Sequence, residues 1–305
     1  MTGTDALVVC VPNFSDGRHA DVIDAICDAL ASAGAARLVY RQADPEHNRL
    51  DTTVVGPPAA VRASALAGAA VAVERIDMTT HEGGHPRMGA ADVIPFVPLQ
   101  GISMEEVVEL ARAFGAELAE TLHIPVYLYD RAATSPERAS LADVRKGEFE
   151  GLREAVARGE RVPDFGPHEI GRAGATAVGA RKPLVAFNLY LTGSEEAAKE
   201  IAKSVRESSG GLKAVRAIGF AVPERGAVTV SMNLVDVDVT SPRVAFDAVS
   251  ALAAERGMQV LSSEIVGFAP AVALAEGDPE HLRLEGFDAD EQILERLVSA
   301  GGGGR

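Results

Sequence analysis

Residues 77–92, which read DMTTHEGGHPRMGAAD, hold the densest group of side chains in the sequence that could do chemistry. They include two of the chain's seven histidines, an arginine, three glycines and a proline. Polar, glycine-rich loops tethered between packed elements commonly carry functional groups, and a histidine there can move protons near neutral pH. A surface loop whose histidines only bind neighbouring backbone fits the same pattern, and composition and spacing do not decide between the two.

Within this segment, residues 81–85 spell HEGGH, the H-E-x-x-H pattern of zinc proteases. That pattern binds zinc when both histidines project from one face of a helix. Gly83 and Gly84 each cost a helix about 1 kcal/mol relative to alanine, and Pro86 disfavours helical backbone at His85. No third ligand follows at a recognisable spacing, so we predict that the segment holds no metal.

The overall charge excludes several classes of partner. The chain has 29 Lys+Arg against 44 Asp+Glu, a net charge of −15 that is spread along its length. Such a field repels nucleic acid and anionic lipid, and the absence of tryptophan disfavours a platform for stacking bases. We therefore predict small-molecule substrates, with any anionic substrate held by cations that are gathered locally.

Length, apolar pattern and cysteine content predict an ordinary cytoplasmic protein. A chain of 305 residues can form one large domain or two ordinary domains of about 100–200 residues each. No apolar run approaches the roughly 18–20 residues of a membrane span, and the first residues lack the basic region typical of a secretory signal. Cys10 and Cys27 are too few for a disulfide framework, which is consistent with a reducing compartment.

Around residues 77–92, the apolar periodicity alternates between strands and helices. Ser103 and Glu106 have the spacing of a capping box, which opens one of the helices, and Gly34 is a natural end for another. The predicted elements of the first half are a strand over residues 6–11, a helix over 21–33, strands near 37–40 and 52–55, a helix over about 58–73, a strand and the capped helix after the loop, and a strand over 125–129.

The second half has the order strand-helix-strand-strand-helix-strand, which is the ferredoxin-like βαββαβ pattern. Ser241 and Pro242 read as an N-cap followed by proline at the first helical position. The predicted elements are a strand over residues 184–191, a helix over 195–206, a hairpin of strands over 214–220 and 227–235, a helix from Pro242 to near Gly257, and a strand over 258–262.

We therefore predict an α/β (α+β) protein of two βαββαβ-type, ferredoxin-like subdomains, with the substrates bound in the cleft between them. Residues 132–179 are richer in glycine, arginine and charge, as expected of a segment between the halves. We place the boundary after residue 181, which gives an N-terminal subdomain over residues 1–181 and a C-terminal subdomain over 182–305. The glycine run at residues 301–304 predicts a flexible tail.

Several segments of the chain, in order, resemble the glutamate formimidoyltransferase family, which is also the formiminotransferase half of formimidoyltransferase-cyclodeaminase. The most specific are the HPRMGA stretch at residues 85–90 and the GATAVGARK stretch at 174–182. The resemblance continues to about residue 275 and includes residues 11–18, 47–49, 126–129 and 164–167. Animal members of the family continue into a cyclodeaminase half where this chain stops, so we do not expect that second activity.

The resemblance implies a transferase of histidine breakdown and one-carbon metabolism, which moves the formimino group of N-formimino-L-glutamate to N5 of tetrahydrofolate. His85 matches the family's catalytic histidine, and we expect His81 to be positional. The resemblance also implies a homodimer. Two alternatives stay open: N5-formyl transfer between glutamate and tetrahydrofolate, and a folate-binding protein without catalytic activity.

The same resemblance implies which residues bind the two anionic substrates. The family's folate-binding stretch matches residues 166–174, and its glycines let backbone N–H groups approach the pterin closely. Arginine suits the substrate carboxylates because it binds them through two hydrogen bonds. The competing interpretation is an interdomain linker with solvated charges, which fits Arg172 better than Arg181 and Lys182. The implied folate-binding residues are Gly166, Pro167, Gly171, Arg172, Gly174, Arg181 and Lys182, and the implied substrate-binding residues are Asp44, Asn48, Arg49 and Arg87.

One position departs from the family's pattern. Members usually carry alternating aspartates shortly before the HNR motif, and one of these is thought to support the catalytic histidine. Gln42 occupies that position here, with Asp44 nearby, and Asp51 stands where an apolar residue is common. A neutral amide can orient an imidazole but does not stabilise its cation as a carboxylate does, so the departure bears on mechanism and substrate.

Overall fold

The computed structural model describes residues 6–299, and the glycine tail predicted at residues 301–304 lies outside that range. The fold is mixed α/β, and the chain divides into two compact units, Met1–Arg181 and Lys182–Arg305. Each unit contains its own β-sheet and its own buried apolar core. Within residues 6–299, no helix combines the length and the apolar character that crossing a membrane requires.

The first unit is built on a seven-stranded sheet. Its strands are β1 (Leu7–Cys10), β2 (Asn13–Phe14), β3 (Arg37–Asp44), β4 (Arg49–Gly56), β5 (Ala91–Gln100), β6 (Val126–Asp130) and β7 (Thr176–Ala180). Its helices are α1 (Ala20–Ser32), α2 (Pro58–Arg75), α3 (Met104–Leu122), α4 (Leu141–Val144) and α5 (Glu148–Ala157).

The first strands of this unit form the predicted βαββαβ core. β1 pairs antiparallel with both β4 and β5, and β3 pairs with β4, which gives the strand order β5-β1-β4-β3. β2 continues the line of β1 between the same two neighbours. Pro12, which lacks a backbone N–H, lies in the gap between β1 and β2.

Two parallel strands extend this core, and the sequence analysis missed one of them. β7 pairs in parallel with β5 on one side and with β6 on the other, so residues assigned to a connecting segment supply a central strand. All five residues of β7 are buried. A strand buried on both faces lacks polar–apolar alternation. Glycine is required at position 179, because a Cβ there would lie 2.5 Å from the Tyr129 ring.

The capping box predicted for α3 is present. Ser103 Oγ accepts a hydrogen bond from the Glu106 backbone N–H at 3.2 Å, and the Glu106 carboxylate accepts one from the Ser103 N–H at 2.9 Å. These two contacts satisfy donors that the first turn of a helix would otherwise leave free. The start of α3, directly after β5, is therefore determined by local sequence.

The second unit is built on a four-stranded sheet. Its strands are β8 (Val185–Leu191), β9 (Val215–Val222), β10 (Ala227–Leu234) and β11 (Val260–Val266). Its helices are α6 (Glu195–Val205), α7 (Pro242–Glu255), α8 (Asp278–His281), α9 (Ala289–Gln292) and α10 (Leu294–Ser299).

The second unit has the predicted ferredoxin-like arrangement. Its sheet order is β11-β8-β10-β9 and every pairing in it is antiparallel. The predicted hairpin is formed by β9 and β10, and α7 begins at Pro242 as predicted. Ser241 Oγ accepts a hydrogen bond from the Val244 backbone N–H at 3.4 Å, so the helix start again follows from local capping.

Candidate active site

The two most specific motif segments lie side by side in the first unit, where the parallel strands β5 and β7 begin. The Ala90 N–H donates to the Ala173 carbonyl at 2.8 Å, and the Ala175 N–H donates to the Met88 carbonyl at 3.0 Å. Glycine is required at the contact, because a Cβ at Gly89 would lie 2.2 Å from the Ala175 oxygen. Gly174 has a φ of +75° and would place a Cβ 2.3 Å from the Met88 oxygen.

Asn48 connects this region to two other loops of the same unit. Its Oδ1 accepts from the Gly17 N–H at 2.9 Å, and its Nδ2 donates to the Glu82 carbonyl at 2.9 Å. Asn48 is buried and has a φ of +50°, a conformation that asparagine tolerates better than most residues. The resemblance implied that Asn48 binds substrate. In this structure its side-chain amide connects the loops of Gly17 and Glu82.

His85 lies in the loop between α2 and β5 with one ring nitrogen engaged. Its Nδ1 lies 2.7 Å from the Pro86 carbonyl oxygen. A carbonyl only accepts, so Nδ1 carries the proton and Nε2 holds the lone pair of the neutral ring. Burial lowers the pKa of His85, and the Arg49 and Arg145 guanidiniums lower it further. The imidazole is thus held neutral, with Nε2 able to accept a proton.

His81 has both ring nitrogens engaged by the protein. Its Nδ1 accepts from Arg87 Nε at 3.2 Å, and its Nε2 lies 3.3 Å from the Asn48 carbonyl oxygen, to which it donates. Burial lowers the pKa of His81, and the Arg87 cation acts in the same direction. These contacts favour a positional role for His81.

Arg87 directs all five of its N–H donors to protein groups. Besides the His81 ring and carbonyl, the guanidinium binds Glu148 at 2.8 Å and Glu150 at 2.7 Å. The resemblance implied that Arg87 binds substrate. In this structure its five donors bind protein groups and connect the loop that carries His81 and His85 to Glu148 and Glu150.

Asp92, to which the sequence analysis gave no role, organises the other side of the loop. Its side chain is fully buried. One carboxylate oxygen accepts from the Met88 backbone N–H at 2.8 Å, and the other accepts from Arg49 Nη1 at 2.9 Å and from Arg145. One feature of the sequence could have indicated this role, because Asp92 is a lone acidic residue at the start of the apolar run of β5. A carboxylate buried at such a position needs hydrogen-bonding or charged partners.

Asp44, near the position of the family's missing acid, binds a different histidine. Asp44 Oδ2 lies 2.6 Å from His47 Nδ1, and the His47 backbone N–H and ring lower the pKa of Asp44. The His47 ring meets the His85 ring edge-on, with 6.4 Å between centroids. Gln42 accepts a hydrogen bond from the Tyr40 hydroxyl. Asp44 therefore binds His47, and the His47 ring lies beside that of His85.

The stretch implied for folate binding has both structural and open positions. Gly166 has a φ of +88° and packs where a Cβ would lie 2.3 Å from the Ile124 carbonyl oxygen. Gly171 has open space at its Cβ position. Arg172 is exposed, its guanidinium donates to the Glu74 carbonyl, and its own carbonyl accepts from the Met78 N–H at 2.8 Å. Pro167 is exposed beside them.

Arg181 and Lys182 lie at the opposite end of β7 from Gly174. At about 3.3 Å per residue, the five residues of β7 separate the two ends by about 17 Å. The Lys182 ammonium binds Asp236 at 2.8 Å and Asp238 at 3.1 Å within the second unit. One group of implied site residues thus surrounds the loop of His85 and includes Asn48, Arg49, Arg87, Arg172 and Gly174. A second group consists of Arg181 and Lys182, and Gly166 packs apart from both against Ile124.

Two cavities of the first unit border the loop that carries His81. One, of about 620 Å³, is lined by residues that include Arg87, Glu148 and Glu150. The other, of about 480 Å³, is lined by residues that include Asp16 and Asn48. Across residues 6–299 no group of three or more His, Cys, Asp or Glu side chains is placed to hold a metal ion.

Comparison with known proteins gives matches along nearly the whole chain. Residues 7–181 match the family model described as "Formiminotransferase domain, N-terminal subdomain", and residues 186–297 match the model described as "Formiminotransferase domain".

Among curated relatives, a "Glutamate formimidoyltransferase" of Thermoplasma acidophilum is 44% identical over 96% of this chain and 97% of its own length. A protein of the same name from Streptococcus pyogenes serotype M1 is 42% identical over 95% of this chain and 97% of its own. The "Formimidoyltransferase-cyclodeaminase" of Mus musculus is 42% identical over 97% of this chain but only 60% of its own length.

Proposed function

Because the chain belongs to the formiminotransferase family, we propose that it is a glutamate formimidoyltransferase, an enzyme that transfers the formimino group of N-formimino-L-glutamate to N5 of tetrahydrofolate. Two relatives that carry this name match it over almost their full lengths. The observation in the structure that carries the proposal is His85, a neutral histidine in a loop fixed from several sides, whose Nε2 makes no hydrogen bond to residues 6–299. The formyl-transfer and non-catalytic alternatives become outcomes of the test.

The proposed reaction joins the formimino carbon to N5 of tetrahydrofolate and breaks that carbon's bond to the glutamate nitrogen. N5 loses a proton and the departing nitrogen gains one. His85 Nε2 accepts the first proton as a general base, and the imidazolium then supplies a proton as a general acid. The Nδ1–H contact with Pro86 keeps the ring in the required tautomer during both steps.

The test of this function compares two donors with purified protein. N-formimino-L-glutamate and N-formyl-L-glutamate are each incubated with tetrahydrofolate, and glutamate release is followed together with the mass of the folate product. We expect turnover with the formimino donor and much slower turnover with the formyl donor. Faster turnover with the formyl donor would support the first alternative, and binding of folate without turnover of either donor would support the second.

We propose that tetrahydrofolate binds with its pterin at the group around His85 and its glutamyl carboxylates at Arg181. The acceptor is an elongated molecule, with a pterin at one end and glutamyl carboxylates at the other. The open position at Gly171 and the backbone of Gly174 lie with the His85 group, while the cation of Arg181 lies at the far end of β7. This arrangement suits the pterin near His85 and the carboxylates near Arg181.

Replacing Arg181 by alanine is expected to weaken tetrahydrofolate binding by about one to two decades. A charge-assisted hydrogen bond contributes about 1.5–3 kcal/mol, and 1.4 kcal/mol is tenfold in affinity. With a net charge of −15, the protein has no long-range attraction that could compensate. Isothermal titration with a stable 5-formyl analogue measures the loss, with Arg153→Ala at an exposed position as control. Equal affinities for wild type and Arg181→Ala would place the anion site elsewhere.

The pH dependence of activity follows from the pKa of His85. Only the neutral imidazole accepts a proton, and burial, then Arg49 and Arg145, lower its pKa. Activity is therefore lost as pH falls through a value below 6.5, the ordinary value for histidine. We expect the acid limb of the kcat/KM profile to lie below pH 6.5. A limb above that value would contradict the assignment of His85 as the base.

We further propose that the protein works in the cytoplasm as a homodimer, on small molecules and without nucleic acid or membrane partners. The net charge of −15 supports the absence of nucleic-acid and anionic-lipid partners, because like charges repel. Sedimentation of the purified chain tests the dimer.

A further inference from the structure

Arg145, which follows α4, is the least satisfied cation near His85. Arg49 binds Asp92, Asn13 and Asp51, whereas within residues 6–299 the side chain of Arg145 donates only to Asp92. Arg145 Nε is buried and has no hydrogen-bond partner in the part of the chain that the structure describes. A buried donor without an acceptor is unfavourable and uncommon. Arg145 is therefore suited to an acceptor that arrives with a ligand.

The turn that carries Arg145 is fixed in place. Arg161 donates to the carbonyls of Val144 at 2.7 Å and Lys146 at 3.2 Å, on either side of Arg145. Gly147 and Glu148 follow with φ values of +88° and +56°, and Glu148 binds Arg87. This turn thus contacts the loop of His85 through Arg87 as well as through Asp92, which leaves the Arg145 guanidinium little freedom to move.

Arg145 also lies close to the group that moves protons. Asp92, its partner, binds the backbone N–H of Met88, three residues after His85. Burial lowers the pKa of His85 most, and the Arg49 and Arg145 guanidiniums add to that effect. An anion that binds Arg145 is therefore near the reacting atoms.

We propose that Arg145 binds the α-carboxylate of the formimino donor. The inference rests on the proposed function, which supplies the two substrates. In N-formimino-L-glutamate, one carbon separates the α-carboxylate from the nitrogen that departs. In tetrahydrofolate the carboxylates lie beyond the benzoyl group, far from N5. An anion site next to His85 therefore fits the donor, and a guanidinium binds a carboxylate by charge-assisted hydrogen bonds.

The experiment pairs one substitution in the protein with one change in the donor. Wild type and Arg145→Met are each assayed with N-formimino-L-glutamate and with its α-carboxamide, at saturating tetrahydrofolate. We expect the wild type to prefer the α-carboxylate by about tenfold to a hundredfold in kcat/KM. We expect Arg145→Met to lose this preference. The ratio of kcat/KM for the two donors is the readout, because a general effect of the substitution on the loop or on His85 changes both values alike.

The control is Arg153→Met, which removes an exposed arginine from α5 and should keep the full preference. Arg145→Lys keeps the charge without the planar fork, and should keep part of the preference. If circular dichroism shows that Arg145→Met does not fold, Arg145→Lys is used in its place. An undiminished preference in either Arg145 variant would overturn the proposal. Inactivity of the wild type toward both donors would instead overturn the proposed function, and this assignment with it.

Discussion

Replacing His85 by alanine is expected to lower kcat by about 10²–10⁴-fold, the range typical for loss of general acid–base catalysis. The ring is a half-buried, neutral imidazole and, unlike that of His81, has only one of its nitrogens hydrogen-bonded within residues 6–299. In the proposed reaction it moves both protons. Its removal leaves the contacts of Asn48, Arg87 and Asp92 in place. We therefore expect affinity for tetrahydrofolate to stay close to that of the wild type. Single-turnover rates and isothermal titration measure the two quantities separately.

His123→Asn provides the matched control for this variant. His123 is exposed at the end of α3 with a φ of +54°, a backbone conformation that asparagine also adopts. The control should turn over at the wild-type rate. A His85→Ala protein that is folded and keeps the wild-type rate would remove His85 from the mechanism. An equal loss in His81→Ala would show that loop position, rather than proton transfer at His85, governs the rate.

Replacing Asp92 by alanine is expected to destabilise the first unit by about 3–5 kcal/mol, the typical cost of removing one partner from a buried ion pair. The substitution leaves the Arg49 and Arg145 side chains, which are 7% and 12% exposed, without the carboxylate they share. It also removes the acceptor for the Met88 N–H. Urea unfolding followed by far-UV circular dichroism measures the change, since the chain has no tryptophan.

Asp28→Ala is the control for Asp92→Ala, because it removes the same charge from an exposed position on α1. A surface substitution of this kind should stay within about 0.5 kcal/mol of the wild type. If Asp92→Ala unfolds at the same urea concentration as this control, then Asp92 does not organise the loop. Asp92→Asn, which keeps one acceptor, should fall between the two.

Local signals predicted the elements with strong periodicity or capping. The Ser103 capping box and the Ser241 N-cap each start a helix where the sequence analysis placed one, because these contacts involve only residues three apart. The βαββαβ order of each unit followed in the same way from alternating strands and helices. β7 was not predicted, because its five residues are all buried and show no alternation of polar and apolar residues. Its strand structure depends on pairing with β5 and β6 on either side.

The arrangement of the candidate site depends on contacts between distant segments, which spacing does not reveal. The loop of His85 was recognisable from its composition, but the pairing of Gly89 with Gly174 requires the whole sheet. The ion pair of Asp92 with Arg145 joins β5 to the turn after α4 and left no local signal at Arg145. For the same reason, the sequence could not show that Arg87 is engaged by Glu148 and Glu150.

The most direct measurement of the central claim follows the transferred carbon itself. N-formimino-L-glutamate labelled with ¹³C in the formimino carbon is mixed with tetrahydrofolate and a stoichiometric amount of the purified protein, and the products are read by ¹³C NMR and mass spectrometry. We expect the label to appear on N5 of tetrahydrofolate, with one unlabelled glutamate released for each labelled folate formed. Label that stays on glutamate, or that appears as free formamide or formate without labelled folate, would contradict it.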